Sequence, residues 1–119
     1  MEIRRLKKEN YDELISLLNL VFSKQNKCTM DFERELPNMC IKDDAHMRKH
    51  IGLFLDDKLV SVVGVYPLII KVLDRKINFC TVGNVATHPD YEGRGYMNIL
   101  LNRAMEIVKE EKYDICRLG

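Results

Sequence analysis

The sequence predicts an α+β (α/β) fold: a mixed, mainly antiparallel sheet flanked by helices. Three observations carry this expectation. An apolar stripe at helical spacing lies near the N-terminus, three strand-rich runs joined by tight polar turns fill the middle, and a strand, a helix and a strand close the chain. The final strand–helix–strand order needs a crossover, so its two strands are expected to be parallel and its connection right-handed.

Taken in order, Glu2 to Leu6 reads as a short first strand with Ile3 and Leu6 as its apolar positions. Asn10 with Glu13 three residues on has the spacing of a capping box. Tyr11, Leu14, Ile15, Leu18, Val21 and Phe22 then recur on one face, predicting a helix from Tyr11 to Phe22 that packs on the core. From Ser23 to Arg48 the pattern is weak and polar. It accommodates a short helix near Met30 to Leu36, broken by Leu36-Pro37-Asn38, because proline removes a donor and restricts its predecessor. Variable segments of this kind shape the substrate side of many enzymes.

Ile51 to Leu55 is apolar, Asp56-Asp57 is a turn, and Lys58 to Val72 is rich in Val, Ile and Leu. Asp74-Arg75 is a second turn before Ile77 to Thr87, completing an antiparallel meander. Gly64 and Pro67 predict a bend or bulge in its middle strand. After Pro89 the period becomes helical, with Met97, Leu100, Leu101, Ala104, Met105 and Val108 as the stripe and Lys109-Glu110-Glu111-Lys112 as its charged end. Tyr113 to Leu118 returns to strand character.

Composition narrows the function classes. The chain has 119 residues, enough for one domain. Nineteen Lys+Arg against eighteen Asp+Glu leave a net charge of +1, which disfavours a strongly basic nucleic-acid binder. The apolar runs fall far short of the ~20 residues of a membrane span, and the N-terminus has no apolar segment of a secretion signal. A cytoplasmic domain is expected, with no nucleic-acid or membrane partner. Cys28, Cys40, Cys80 and Cys116 are irregularly spaced and form no Cys-x-x-Cys pair, so reduced thiols are expected. Cys80 and Cys116 fall in apolar strands, where a thiol behaves as a small hydrophobe. His46 and His50 are four apart but lack the Glu of a metalloprotease motif, and the cysteine spacing is not that of a zinc finger. They read as part of a solvated polar turn, and no metal is expected.

The segment that carries chemistry runs from Val82 to Met97. A strand enters a Gly-rich turn that opens a helix, which aims backbone N–H groups and the positive end of the helix dipole at one point. Phosphate or pyrophosphate is the natural ligand. Gly93 and Gly95 allow close approach and positive φ, and Arg94 adds a charge at the rim. Gly-x-Gly alone fits a phosphate site and a plain helix start equally. A P-loop fails because Asn98 and Ile99 do not supply Lys-Ser, and a dinucleotide fold fails because a meander precedes the turn.

The whole run Asn84-Val85-Ala86-Thr87-His88-Pro89-Asp90-Tyr91-Glu92-Gly93-Arg94-Gly95-Tyr96, behind a strand, a helix and a meander, resembles the GNAT superfamily of acyl-CoA-dependent N-acetyltransferases. The resemblance implies acetyl-CoA as cosubstrate, with Val85, Ala86 and Thr87 along the pantetheine arm and acetyl carbonyl. It implies Gly93, Arg94, Gly95, Tyr96, Met97 and Asn98 around the pyrophosphate. Glu92 stands where the family usually has Gln or Arg, and Met97 where it has a small residue. The implied reaction is direct attack of a primary amine, on a small molecule or peptide, on the thioester. The alternative is a non-catalytic acyl-CoA-binding or protein-interaction module of the same fold.

No catalytic acid or base is assigned from the sequence. Asn84 serves either a water or strand pairing, and Tyr66 and His50 read as core or surface residues. The resemblance further implies that residues 1–119 are a single GNAT-like domain truncated after its fifth strand. Ile115 to Leu118 would then present an uncovered edge for self-association.

Overall fold

The computed structural model describes residues 1–26 and 42–118. The expected short helix near Met30 to Leu36, its proline break, Cys28 and Cys40 lie outside the described residues. The elements are β1 (Glu2–Arg5), α1 (Tyr11–Asn26), α2 (Asp44–Met47), β2 (His50–Leu55), β3 (Lys58–Val72), β4 (Arg75–Thr87), α3 (Tyr96–Glu110) and β5 (Ile115–Leu118). Single 3-10 turns at Lys8–Asn10 and Pro89–Tyr91 precede α1 and α3.

The five strands form one sheet in the order β1-β2-β3-β4-β5. The first three pairings are antiparallel, and β4 with β5 is parallel. This is the predicted mixed, mainly antiparallel α+β sheet. Its two faces carry separate apolar layers. Leu14, Leu18 and Val21 of α1 pack with Leu6, Met47, Phe54 and Val62 on one face. Leu100, Ala104, Ile107 and Val108 of α3 pack on Ile51, Leu53, Val63, Val65 and Val82 on the other. Interior strand β2 is therefore buried from His50 to Phe54, and burying each large apolar side chain contributes about 1.5–3 kcal/mol.

Local details depart from the sequence reading. Helix α1 runs to Asn26, four residues past the expected end. Glu13 closes no capping box: its carboxylate accepts the Leu59 N–H at 3.1 Å, while Asn10 Oδ1 accepts the Lys7 N–H at 3.0 Å. The tertiary partner was invisible to local spacing. The second hairpin turn lies on Leu73-Asp74, with Leu73 at φ 56° and Arg75 already paired to Val72. Met105, expected in the apolar stripe, is on the exposed side of α3, and Ile107 is buried instead. Cys116 is exposed because, among the described residues, β5 pairs only with β4 and lies at the sheet edge. Cys80 is buried as expected.

Strand β3 passes through Gly64 and Pro67 without interruption. Strand β2 begins opposite Gly64, and the Val65 N–H points to that side, donating to the Lys49 carbonyl. Two residues on, the missing donor of Pro67 faces the same outer edge, where a ladder bond is not lost. The irregularity near Gly64 falls on the neighbouring strand. Val62 faces Ala86 and Gly64 faces Gly83, so Asn84 and Val85 together oppose Val63 alone.

Candidate functional site

Strand β4 positions the site. Its ladder with β5 runs from Phe79 to Val82, and the bulge follows immediately. A bulge leaves one residue outside the ladder and turns a backbone group away from the neighbouring strand. It occurs where the sequence resemblance puts an acyl group. Val85 is exposed, while Ala86 is buried under α1. Ser61 Oγ donates to the Ala86 carbonyl at 3.1 Å and lies 2.8 Å from Thr87 Oγ1, fixing the strand end from the β3 side.

The turn beyond β4 is tied down at its start. The His88 N–H donates to the Val60 carbonyl, and the Asp90 N–H donates to His88 Nδ1 at 3.1 Å. Proline 89 occupies the first position of the 3-10 turn, where an N–H has no use. Gly93 and Gly95 follow at φ 77° and 81°, a region that only glycine visits cheaply. Gly95 is the residue before α3, and among the described residues no side chain caps that helix. The first bond to it is the Ile99 N–H on the Gly95 carbonyl, so the N–H groups of Tyr96, Met97 and Asn98 precede the intrahelical ladder. No acidic residue occupies the first turn, which leaves the positive end of the dipole uncompensated there.

These parts meet in a cleft of about 370 Å³. Val85, Ala86 and Thr87 line its strand side, and Gly93, Gly95, Tyr96, Met97 and Asn98 its turn and helix side. Arg94 does not line it; its guanidinium lies 5.4 Å from the centre of the Tyr91 ring. Sequence reasoning missed Val21, which closes the cleft from α1, and no local signal links it to a turn so distant in the chain. Tyr91 and Glu92 also line the cleft. The Glu92 side chain is exposed, and Met97 is half-buried. The Asn84 side chain lies outside what the structure describes.

A fit for a phosphate-bearing ligand can be judged from the turn itself. A Cβ built on Gly93 or Gly95 meets no atom within 4 Å, so the glycines border open space. Open space, αL backbone and unladdered N–H groups are the features of an anion cradle. Among the described residues, no group of three or more His, Cys, Asp or Glu is arranged to hold a metal. No described helix is long and apolar enough to cross a membrane.

The expected solvated turn around His46 and His50 is corrected. His46 lies in α2, but His50 opens β2 and is only 2% exposed. Its Nε2 lies 3.0 Å from the Tyr66 hydroxyl, and its Nδ1 is buried with no hydrogen-bond partner within 3.5 Å among the described residues. Burial lowers the His50 pKa to about 4. Elsewhere, burial and the neighbouring Cys116 push the Cys80 thiol up to about 12. Burial and the Glu111 carboxylate, which accepts from its hydroxyl at 2.7 Å, push Tyr113 up to about 12.

Comparisons with known proteins bear on the family and the fold. The family of the acetyltransferase (GNAT) domain matches residues 2–118. A probable N-acyltransferase from Enterococcus faecalis V583 superposes with a TM-score of 0.75 at 18% identity over 98% of this chain. The chain spans 28% of that protein's length. A ribosomal-protein-alanine N-acetyltransferase from Brucella melitensis biovar Abortus 2308 gives a TM-score of 0.71 at 22% identity, over 99% of this chain and 78% of that one. A GNAT family acetyltransferase from Brucella melitensis in complex with acetyl-CoA gives 0.75 at 13% identity, over 98% of this chain and 73% of that one. At these identities the likeness to solved structures is one of fold. No curated protein sequence matches the chain.

Proposed function

The chain belongs to the GNAT acetyltransferase domain family, and on that premise we propose that it binds acetyl-CoA in the β4–α3 cleft and transfers the acetyl group to a primary amine. The observation that carries this reading is the juxtaposition of two backbone features in one cleft. A bulge at Asn84 and Val85 interrupts the β4 ladder, and a glycine turn opens α3 with its N–H groups free of side-chain caps.

The roles follow from the chemistry of each part. The N–H groups around Gly95 to Asn98 hold the pyrophosphate, where the helix dipole favours negative charge. Because these donors belong to the backbone, the near-neutral charge of the chain does not oppose the site, and Arg94 adds only a rim contact. The backbone of Val85, Ala86 and Thr87 pairs with the amide-bearing pantetheine arm as a neighbouring strand would. An N–H at the bulge donates to the thioester carbonyl and strengthens that bond as the oxygen becomes negative. The neutral amine nitrogen attacks the carbonyl carbon, the C–N bond forms, and the C–S bond breaks with its electron pair on sulfur. The proton lost by nitrogen reaches the thiolate through solvent, leaving an amide and the CoA thiol. The acceptor is a small-molecule or peptide amine.

Titration calorimetry with acetyl-CoA, CoA and pantetheine tests the reading. Binding of the first two and a much weaker third is expected, since pyrophosphate contacts dominate. No heat with acetyl-CoA at millimolar concentration would sink it. Replacing Arg94 by Ala is expected to weaken acetyl-CoA by about two- to five-fold, the loss of one partly solvated charge contact. Binding without turnover of any primary amine leaves the non-catalytic acyl-CoA-binding module as the better description.

A further inference from the structure

Cys80 and Cys116 are far apart in the sequence and direct neighbours in the sheet. The parallel ladder of β4 and β5 pairs Phe79 with Ile115, Cys80 with Cys116, Thr81 with Arg117 and Val82 with Leu118. Partners in such a ladder project to the same side, and Cys80 belongs to the apolar layer that α3 covers. Both sulfurs are therefore on the α3 face, within hydrogen-bond reach of one another.

That geometry suits a covalent bond. Adjacent strands lie about 4.7–4.9 Å apart, and disulfides span Cα separations of about 4.4–6.8 Å. Both thiols are free, but they differ in access: Cys80 is buried and Cys116 is exposed. Burial first, and the Cys116 side chain second, push the Cys80 thiol up to about 12, so it keeps its proton. An inner thiol that solvent does not reach thus lies against an outer one that it does. Among the described residues β5 pairs only with β4, over four residues, which leaves it room for the small shift that bond formation requires.

We propose that Cys80 and Cys116 are a redox pair that closes to a disulfide when a peroxide reaches β5. The Cys116 thiolate attacks one peroxide oxygen and the O–O bond breaks. The departing oxygen takes up the proton that Cys116 released and leaves as water, and Cys116 becomes a sulfenic acid. The adjacent Cys80 sulfur then attacks the Cys116 sulfur, and the S–O bond breaks. Its oxygen leaves with the Cys80 proton as a second water. The two thiols lose two electrons, and one peroxide is reduced to two waters. Close contact with Cys80 diverts the sulfenic acid from further oxidation to sulfinic acid. The bond closes a covalent ring from residue 80 to residue 116, which holds the bulge, the glycine turn and α3.

Peptide mass mapping after treatment of the reduced chain with hydrogen peroxide tests this. A peptide pair joined through Cys80 and Cys116, lighter by two hydrogens, is expected, and dithiothreitol is expected to release it. Cys116→Ser is expected to abolish the joined pair, and Cys80→Ala to let Cys116 proceed to the sulfinic acid. Sulfinic acid at Cys116 of the unaltered chain overturns the inference, as does Cys116 joined to Cys28, to Cys40 or to a second chain. Thermal unfolding of the unaltered chain, oxidised and reduced, gives a second measurement that no variant's folding can obscure. The oxidised form is expected to melt about 5–10 °C higher, because the ring restricts the unfolded chain. A lower midpoint shows that the sheet distorts to admit the bond, and overturns the inference.

Discussion

Two glycine sites in this molecule do opposite work. At Gly93 and Gly95 the backbone is the reason for glycine: φ is positive and a Cβ would meet nothing. At Gly64 the space is the reason: β3 is ordinary extended strand, and a Cβ would overlap the Tyr66 ring. The first pair leaves an open cradle in solvent, and the second lets a polar pair close inside the sheet. A glycine in a turn and a glycine in a strand are thus different signals. Only the turn type was readable from its neighbours.

The comparison can be broken most severely through the buried side. His50 is held neutral with a pKa of about 4 against an ordinary 6.5. The unfolded chain therefore takes up a proton that the folded chain refuses, and this contribution to stability is complete above pH 6.5. It is expected to fall as pH drops from 6.5 to 4, by on the order of 3 kcal/mol. Urea unfolding at pH 7.5 and pH 4.5 measures it, and a His50→Phe chain of flat pH dependence through this window identifies the group.

The next effect separates the two kinds of glycine. Gly64→Ala forces the Tyr66 ring off its seat and is expected to cost about 2 kcal/mol, the usual range for overpacking. The shift of the urea midpoint checks this, and adding Tyr66→Ala is expected to restore much of the loss. The smallest effect belongs to the open turn. Gly95→Ala creates no overlap, so only the left-handed backbone is strained, at about 1 kcal/mol. A larger penalty for Gly95→Ala than for Gly64→Ala would reverse the assignment of roles.

Local chemistry made much of the fold legible. Helix α1 was visible in the recurrence of Tyr11, Leu14, Leu18 and Val21, and β2 and the first half of β3, Leu59 to Val65, in apolar runs that suit a sheet covered on both faces. The Asp56-Asp57 turn was readable too, and both residues adopt positive φ. The lapses share one cause. Glu13 left its expected cap for the Leu59 N–H, Met105 and Cys116 met solvent, and the irregularity near Gly64 put its extra residue on β4, while β3 bulges at Val60 against β2. In each case the packing of segments far along the chain, or its absence at that face, decided the outcome.

The sequence by itself determined the alternation of strands and helices, the apolar layers and the glycine turn at the start of α3, because each rests on residues within one or two turns of one another. The tertiary structure alone decided the rest. It brought Val21 to the cleft, placed the bulge beside the end of the β5 ladder, and set Tyr66 against His50 over a glycine. Those contacts depend on strand register and on which faces the helices cover, quantities that no local pattern of side chains encodes.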